Sequence, residues 1–234
     1  LDGKRPIITE GYKENLYLGN PHNCLDVLSN FNFDELLIIN KSMKINEEYL
    51  DFLQRLSLSS ALPLSITGGI ENSGLAIDLI KNGYERIFLN YSNKQVDDIA
   101  EELTSTVGKQ SIGLKVDLVF EDNNFFELNT LIVLKDIVNV LTEKRLDQNS
   151  YSEVNFNIVN YDGIPQCEET PRRLFHEIKS LCCNKSISGG IMSRSLIEEY
   201  YHLEFDACYS NKIHFTDFCG ESKLANDYLV RNRK

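Results

Sequence analysis

Two six-residue stretches of this chain read almost alike: Ser65-Ile66-Thr67-Gly68-Gly69-Ile70 and Ser186-Ile187-Ser188-Gly189-Gly190-Ile191. Each closes a short β-prone run with a glycine pair and passes into a helix-like segment. A strand that hands over to a helix through bare backbone N–H groups offers an anion its donors, so a diglycine at that point is a candidate phosphate cradle. For a single Gly-Gly a plain tight turn explains as much. Two copies in matching contexts imply a repeated architecture. Other chemistries find little support. The six cysteines contain no C-x-x-C, and none of the four histidines stands at metal-ligand spacing with them or beside a serine or cysteine nucleophile. Neither a metal nor an organic cofactor is expected.

The elements that must position the glycine pairs alternate regularly. Helices are expected near residues 21–30, 47–58, 74–82, 96–107, 131–146, 171–180, 195–202 and 221–231, the one at 131–146 being the longest. Apolar, often amide- or carboxylate-ended runs at 34–40, 63–66, 86–90, 111–119, 153–160, 185–188 and 206–211 read as buried parallel strands. Segments 5–20 and 120–126 read as loops, the first as a long active-site loop. Strand-helix units with a glycine turn in the third of each set of four predict an α/β fold, a (β/α)8 barrel made of two similar halves. Its eighth strand would lie at or before Leu1. Residues 1–234 are expected to form one domain. In such a barrel the chemistry lies at the C-terminal strand ends. There stand Asn40, the Gly68-Gly69 turn, Asn90, Asp117, Asn160 with Asp162, the Gly189-Gly190 turn, and Ser210 with Asn211.

A net charge of -11 disfavours a nucleic-acid or anionic-membrane surface while leaving room for a local phosphate pocket. No apolar run reaches the ~18 residues of a membrane span, and the N-terminal residues do not read as a signal peptide. A soluble, cytoplasmic protein is expected.

At this point the sequence resembles the cyclase (synthase) subunit of imidazole glycerol phosphate synthase, a duplicated half-barrel enzyme of histidine biosynthesis. The matching pieces are Gly19-Asn20-Pro21, Asp34-Glu35-Leu36-Leu37-Ile38, Thr67-Gly68-Gly69-Ile70, the strand through Asn90, Asp117, Asp162-Gly163, Ser188-Gly189-Gly190 and Ile213-His214-Phe215. Their order and spacing along nearly the whole chain carry the resemblance. It implies a phosphorylated small-molecule substrate held at two sides of the barrel mouth: Gly68, Gly69 and Asn90 at one, Asp162, Gly163, Gly189, Gly190, Ser210 and Asn211 at the other. It implies acid/base catalysis by Asp117. At the opposite barrel face it implies an ammonia gate of Glu35, Arg86 and Glu153, and so a HisH-like glutaminase partner. Three charges at strand entries are costly unless they pair with one another.

The sequence also departs from that family. The first-strand aspartate has no match beyond Asp2, a lysine expected in the first loop is Ile8, and the second- and sixth-strand aspartates are Asn40 and Asn160. A Gly-Lys-rich loop gives way to Glu121-Asp122-Asn123-Asn124-Phe125-Phe126. These departures resemble family members that help amidinate a surface-polysaccharide sugar. A phosphosugar isomerase of the same superfamily and a non-catalytic scaffold stand as alternatives.

Overall fold

The computed structural model describes residues 1, 4, 6–10, 13–31, 33–41, 44–162, 164–167 and 169–210. Gly163, Asn211, Asp2, Ile213-His214-Phe215 and the helix expected at 221–231 lie outside the described residues.

An antiparallel hairpin, β1 (Ile7–Glu10) and β2 (Lys13–Tyr17), opens the described chain where a loop was expected. Then follow α1 (Pro21–Leu28), β3 (Leu36–Ile39), α2 (Glu47–Leu58), β4 (Leu64–Thr67), α3 (Ser73–Lys81), β5 (Arg86–Asn90) and α4 (Val96–Val107). The next elements are β6 (Ile112–Glu121), β7 (Asn124–Glu127), α5 (Leu134–Glu143), the short α6 (Leu146–Asn149), β8 (Glu153–Ile158), α7 (Thr170–Ile178), β9 (Asn184–Ser188), α8 (Arg194–His202) and β10 (Ala207–Tyr209). Side-chain caps start several helices. Asn20, Asn46, Asn72 and Ser193 each accept from backbone N–H groups of the first turn, satisfying donors that a helix cannot pair internally.

The main sheet runs β10-β9-β8-β6-β5-β4-β3 with every neighbouring pair parallel, and β7 folds back antiparallel on β6. The fold is a (β/α)8 barrel, nearly closed. The Tyr209 hydroxyl on β10 reaches Glu35 at the foot of β3, 3.5 Å away. Leu1 lies along the free edge of β3, where its carbonyl accepts from Lys41 N at 2.7 Å. That edge is where the sequence places the remaining strand. The outer faces of the strands pack under the helices, with Leu53, Ile66, Leu79, Ile87, Leu103, Ile137 and Leu174 all fully buried. Each such side chain contributes roughly 1.5–3 kcal/mol. No helix among the described residues is long and apolar enough to cross a membrane.

Two further differences from the sequence reading have local causes. The loop expected at 120–126 is a β-hairpin, because Asp122 and Asn123 both take positive φ (47° and 64°) at its two-residue turn. The long helix expected at 131–146 splits into α5 and α6. Leu131 and Arg145 adopt left-handed φ (58° and 53°), and the buried Glu127 carboxylate accepts from the backbone N–H groups of Asn129 and Thr130, ordering the approach to α5. The longest described helices are α2 and α4, of 12 residues each.

Candidate active site

Because the barrel strands are parallel, their C-terminal ends form one rim, and both diglycine corners stand on it. All four glycines take positive φ: 89° and 73° at Gly68 and Gly69, 87° and 72° at Gly189 and Gly190. The corners also repeat in their packing. A Cβ on Gly68 would stand 2.2 Å from the Asn40 carbonyl oxygen, and one on Gly189 would stand 2.3 Å from that of Ile158. Each first glycine thus abuts the backbone at the end of the preceding neighbour strand, and only glycine fits. Its own carbonyl is held by an amide that a tyrosine fixes in turn. Asn40 Nδ2 donates to Gly68 O (3.3 Å) while Tyr49 OH donates to Asn40 Oδ1 (3.2 Å). Gln166 Nε2 donates to Gly189 O, and Tyr200 OH donates to Gln166 Oε1.

Asp117 points inward from β6. It is 6 % exposed and its carboxylate accepts from Lys115 Nζ and Asn157 Nδ2 (2.6 Å) at Oδ1 and from Asn90 Nδ2 (3.2 Å) at Oδ2. Lys115 is itself only 3 % exposed. Residues two apart on a strand share a face, so Lys115 lies directly below Asp117 in the barrel interior. Asn90 Oδ1 accepts from the N–H and the hydroxyl of Ser92, which closes the turn after β5. Asn90 therefore both caps its strand and fixes Asp117.

At the other end of the strands Arg86 bridges two carboxylates, Glu153 directly and Glu35 at 3.6 Å. Tyr209 OH donates to Glu153 Oε1 (3.3 Å), and Ser186 Oγ donates to the same carboxylate. Burial pushes the Glu153 carboxyl above its ordinary range, and the neighbouring Glu35 charge adds to this. Ser186, Arg86 and Tyr209 act against it. Burial also raises the Tyr209 phenol, helped by the two carboxylates. The Tyr209 ring meets Phe88 edge-on with centroids 6.1 Å apart, and the Arg86 guanidinium lies 5.8 Å from the Phe88 ring.

Polar side chains join the two ends. Ser186 accepts from Asn155 Nδ2 (3.1 Å), and the single proton of the Ser188 hydroxyl is shared between Asn155 Oδ1 and Asn157 Oδ1 (both 3.0 Å from Oγ). With the bonds above, one hydrogen-bonded series runs from Arg86 through Glu153, Ser186, Asn155, Ser188 and Asn157 to Asp117.

The remaining rim residues are placed as follows. Ser210 Oγ donates to Ile191 O (2.7 Å), tying the end of β10 to the second corner. Asp162 follows a 3-10 turn at Val159–Tyr161, with its N–H on Val159 O at 3.0 Å. Asn160 exchanges two hydrogen bonds with the backbone of Phe120 (3.1 and 2.9 Å), fastening the β6–β7 hairpin. Sequence reasoning missed Lys115, Asn157, Gln166 and Tyr209. The i, i+2 spacing of Lys115 and Asp117 was the one signal that could have flagged the first. Among the described residues no three His, Cys, Asp or Glu side chains gather as a metal-ion site.

The model of the family described as histidine biosynthesis protein matches residues 3–209. The chain belongs to the histidine biosynthesis protein family. Within it, the chain is a divergent HisF-like member. It is 24 % identical over 165 residues to a protein of Vibrio vulnificus provisionally named imidazole glycerol phosphate synthase subunit hisF2, covering 69 % of this chain and 60 % of that one. A protein of the same provisional name from Parasynechococcus marenigrum is 30 % identical over 143 residues, 57 % of this chain and 53 % of the relative. The imidazole glycerol phosphate synthase subunit HisF of Francisella philomiragia is 20 % identical across 99 % of this chain and 94 % of its own length. The chain thus spans between half and two thirds of the two hisF2 relatives.

Proposed function

We propose that this HisF-like chain, acting as one domain, is the synthase subunit of an imidazole glycerol phosphate synthase-type complex. It uses ammonia from a HisH-like glutaminase partner on a phosphorylated small molecule. The observation that carries this reading is the pairing of two equivalent diglycine corners on one rim with a buried carboxylate, Asp117, inside it. In this reading Gly68, Gly69 and Asn90 hold one phosphate and Asp162, Gly163, Gly189, Gly190, Ser210 and Asn211 the other. Backbone N–H groups and neutral side chains suit that task in an acidic protein, because they bind anions without adding a field of opposite sign over the whole surface. Asp117 takes part in proton transfer at the reacting centre. Glu35, Arg86 and Glu153 control entry of ammonia at the opposite face, and the polar interior gives a small neutral amine hydrogen-bonding partners along the way.

The test is direct. The purified chain, given ammonium chloride as nitrogen source, should form imidazole glycerol phosphate, and Asp117→Asn should lower that rate by roughly 10²–10⁴-fold, the usual span for an acid–base group. Mixing in a HisH-type glutaminase should raise glutamate release. Product formation unaffected by Asp117→Asn would end the reading.

One observation favours a second outcome, amidination of a surface-polysaccharide sugar in place of the histidine precursor. Asn40 and Asn160, which stand where the family carries aspartates, are committed to the first corner and to the β6–β7 hairpin, so the mouth offers fewer carboxylates for the imidazole-forming steps. Ammonia-dependent conversion of a sugar amide, with no imidazole glycerol phosphate formed, would decide for it.

A further inference from the structure

Lys115 has no place in the roles assigned so far. It is a charged side chain inside the barrel, on the inner face of β6 and bonded to Asp117. Burying such a pair contributes little to stability compared with apolar residues of the same volume, so packing alone does not explain it. Its position is specific. It lies one layer beneath the mouth, in the section of the interior that separates the Arg86 cluster from the rim.

The surroundings of Asp117 add a second argument. Its carboxylate accepts from an ammonium and from two amides. Of these three donors the amides do not titrate, whereas an ammonium is an acid–base group.

We propose that Lys115 is the second acid–base group of the mouth and works as a couple with Asp117. The proposal rests on the reading of Asp117 as a proton-transfer residue and adds to it a proton donor for a phosphorylated carbonyl substrate. When the amine nitrogen attacks, the new N–C bond forms as the carbonyl π pair moves onto oxygen. That oxygen takes a proton from the Lys115 ammonium. The surplus proton on nitrogen passes to Asp117, which hands it to the Lys115 amine across the hydrogen bond already joining them. Protons and electrons balance, and both residues return to their starting states without an outside reactant.

The experiment compares Lys115→Met, Lys115→Arg and Asp117→Asn with the unaltered chain in ammonia-driven formation of imidazole glycerol phosphate. Product binding by calorimetry and thermal unfolding are measured on each. Lys115→Met should lose at least about 100-fold in kcat while still binding product. Lys115→Arg, which keeps the charge but holds its proton, should not rescue. Rescue by arginine to within about fivefold would reduce Lys115 to a positioning role and overturn the proposal, as would full activity in Lys115→Met. If Lys115→Met unfolds, the Lys115→Met/Asp117→Asn double variant, which removes both members of the pair, is measured in its place. Recovery of activity in it overturns the proposal too. Loss in Asp117→Asn without loss in Lys115→Met removes this proposal alone. Turnover that is absent in the unaltered chain, or indifferent to Asp117→Asn, removes the underlying reading and this proposal with it.

Discussion

The two ends of the barrel interior solve the burial of charge differently. At the lower end one guanidinium faces two carboxylates, Glu35 and Glu153, and the excess negative charge is spread over hydroxyl donors from Tyr209 and Ser186. At the mouth an ammonium faces a carboxylate, and neutral amides from β5 and β8 donate to that carboxylate as well. Among the described residues the lower cluster is unbalanced and partly open to water, with Arg86 and Glu35 about a fifth exposed; the upper pair is one to one and almost wholly buried. An unbalanced cluster is sensitive to the loss of its single cation and to pH. A balanced pair is sensitive to the loss of either member and tolerant of losing both.

Removing the cation from the unbalanced end should have a large effect on stability. Arg86→Met leaves two carboxylates facing each other in the barrel, and should destabilise the fold by about 3 kcal/mol, the low end of the cost of breaking a buried ion pair because Arg86 retains some solvent. Urea unfolding of the two proteins reads this directly. A loss below about 1 kcal/mol would mean that solvent already screens the lower cluster as it does a surface pair, and the contrast between the ends would disappear.

The balanced end predicts a coupling. Lys115→Met and Asp117→Asn should each destabilise by roughly 3 kcal/mol, since each strands a buried charge, whereas the double variant should cost less than the sum by on the order of 2 kcal/mol. Strict additivity in the double-mutant cycle would show that the two side chains are energetically independent despite their contact.

These contrasts were only partly legible in the sequence. The strand at Arg86–Asn90 and the helices Glu47–Leu58 and Val96–Val107 fall where the apolar spacing puts them, because each carries a full period of buried residues and, at Glu47–Leu58, an asparagine cap. The pairing of Glu35, Arg86 and Glu153 could be inferred because charge at a strand entry needs a partner. The Lys115–Asp117 couple left only its i, i+2 spacing as a signal. Both faces of a barrel strand are buried, so the alternation of Leu114, Val116 and Leu118 with Lys115 and Asp117 does not say which face is the interior, and lysine in a strand is ordinarily read as an outward residue. The hairpin turn at Asp122-Asn123 was readable in principle, since both residue types tolerate positive φ. Its acidic, aromatic composition drew the loop reading instead. Gln166 escaped because a long flexible side chain in a connection has no periodic context, and only the fold brings it onto Gly189.

The smallest expected effect is a pH dependence at the unbalanced end. Burial raises the Glu153 carboxyl in the folded state, with Ser186, Arg86 and Tyr209 pulling it partway back. The native protein therefore keeps that proton to higher pH than the unfolded chain does, whose carboxyl titrates near its ordinary value of about 4.3. The stabilising contribution of the protonated side chain is complete below that value and is lost as pH rises from there through the raised folded one. Glu153→Gln holds a neutral group in the same place, so it should flatten the fall of unfolding free energy across that window while leaving the slope at lower pH unchanged. Urea midpoints taken at closely spaced pH values above 4 check the difference. An unchanged slope in Glu153→Gln would mean that Arg86 and the two hydroxyls fully offset the burial of this carboxylate, despite the extra charge of the lower cluster.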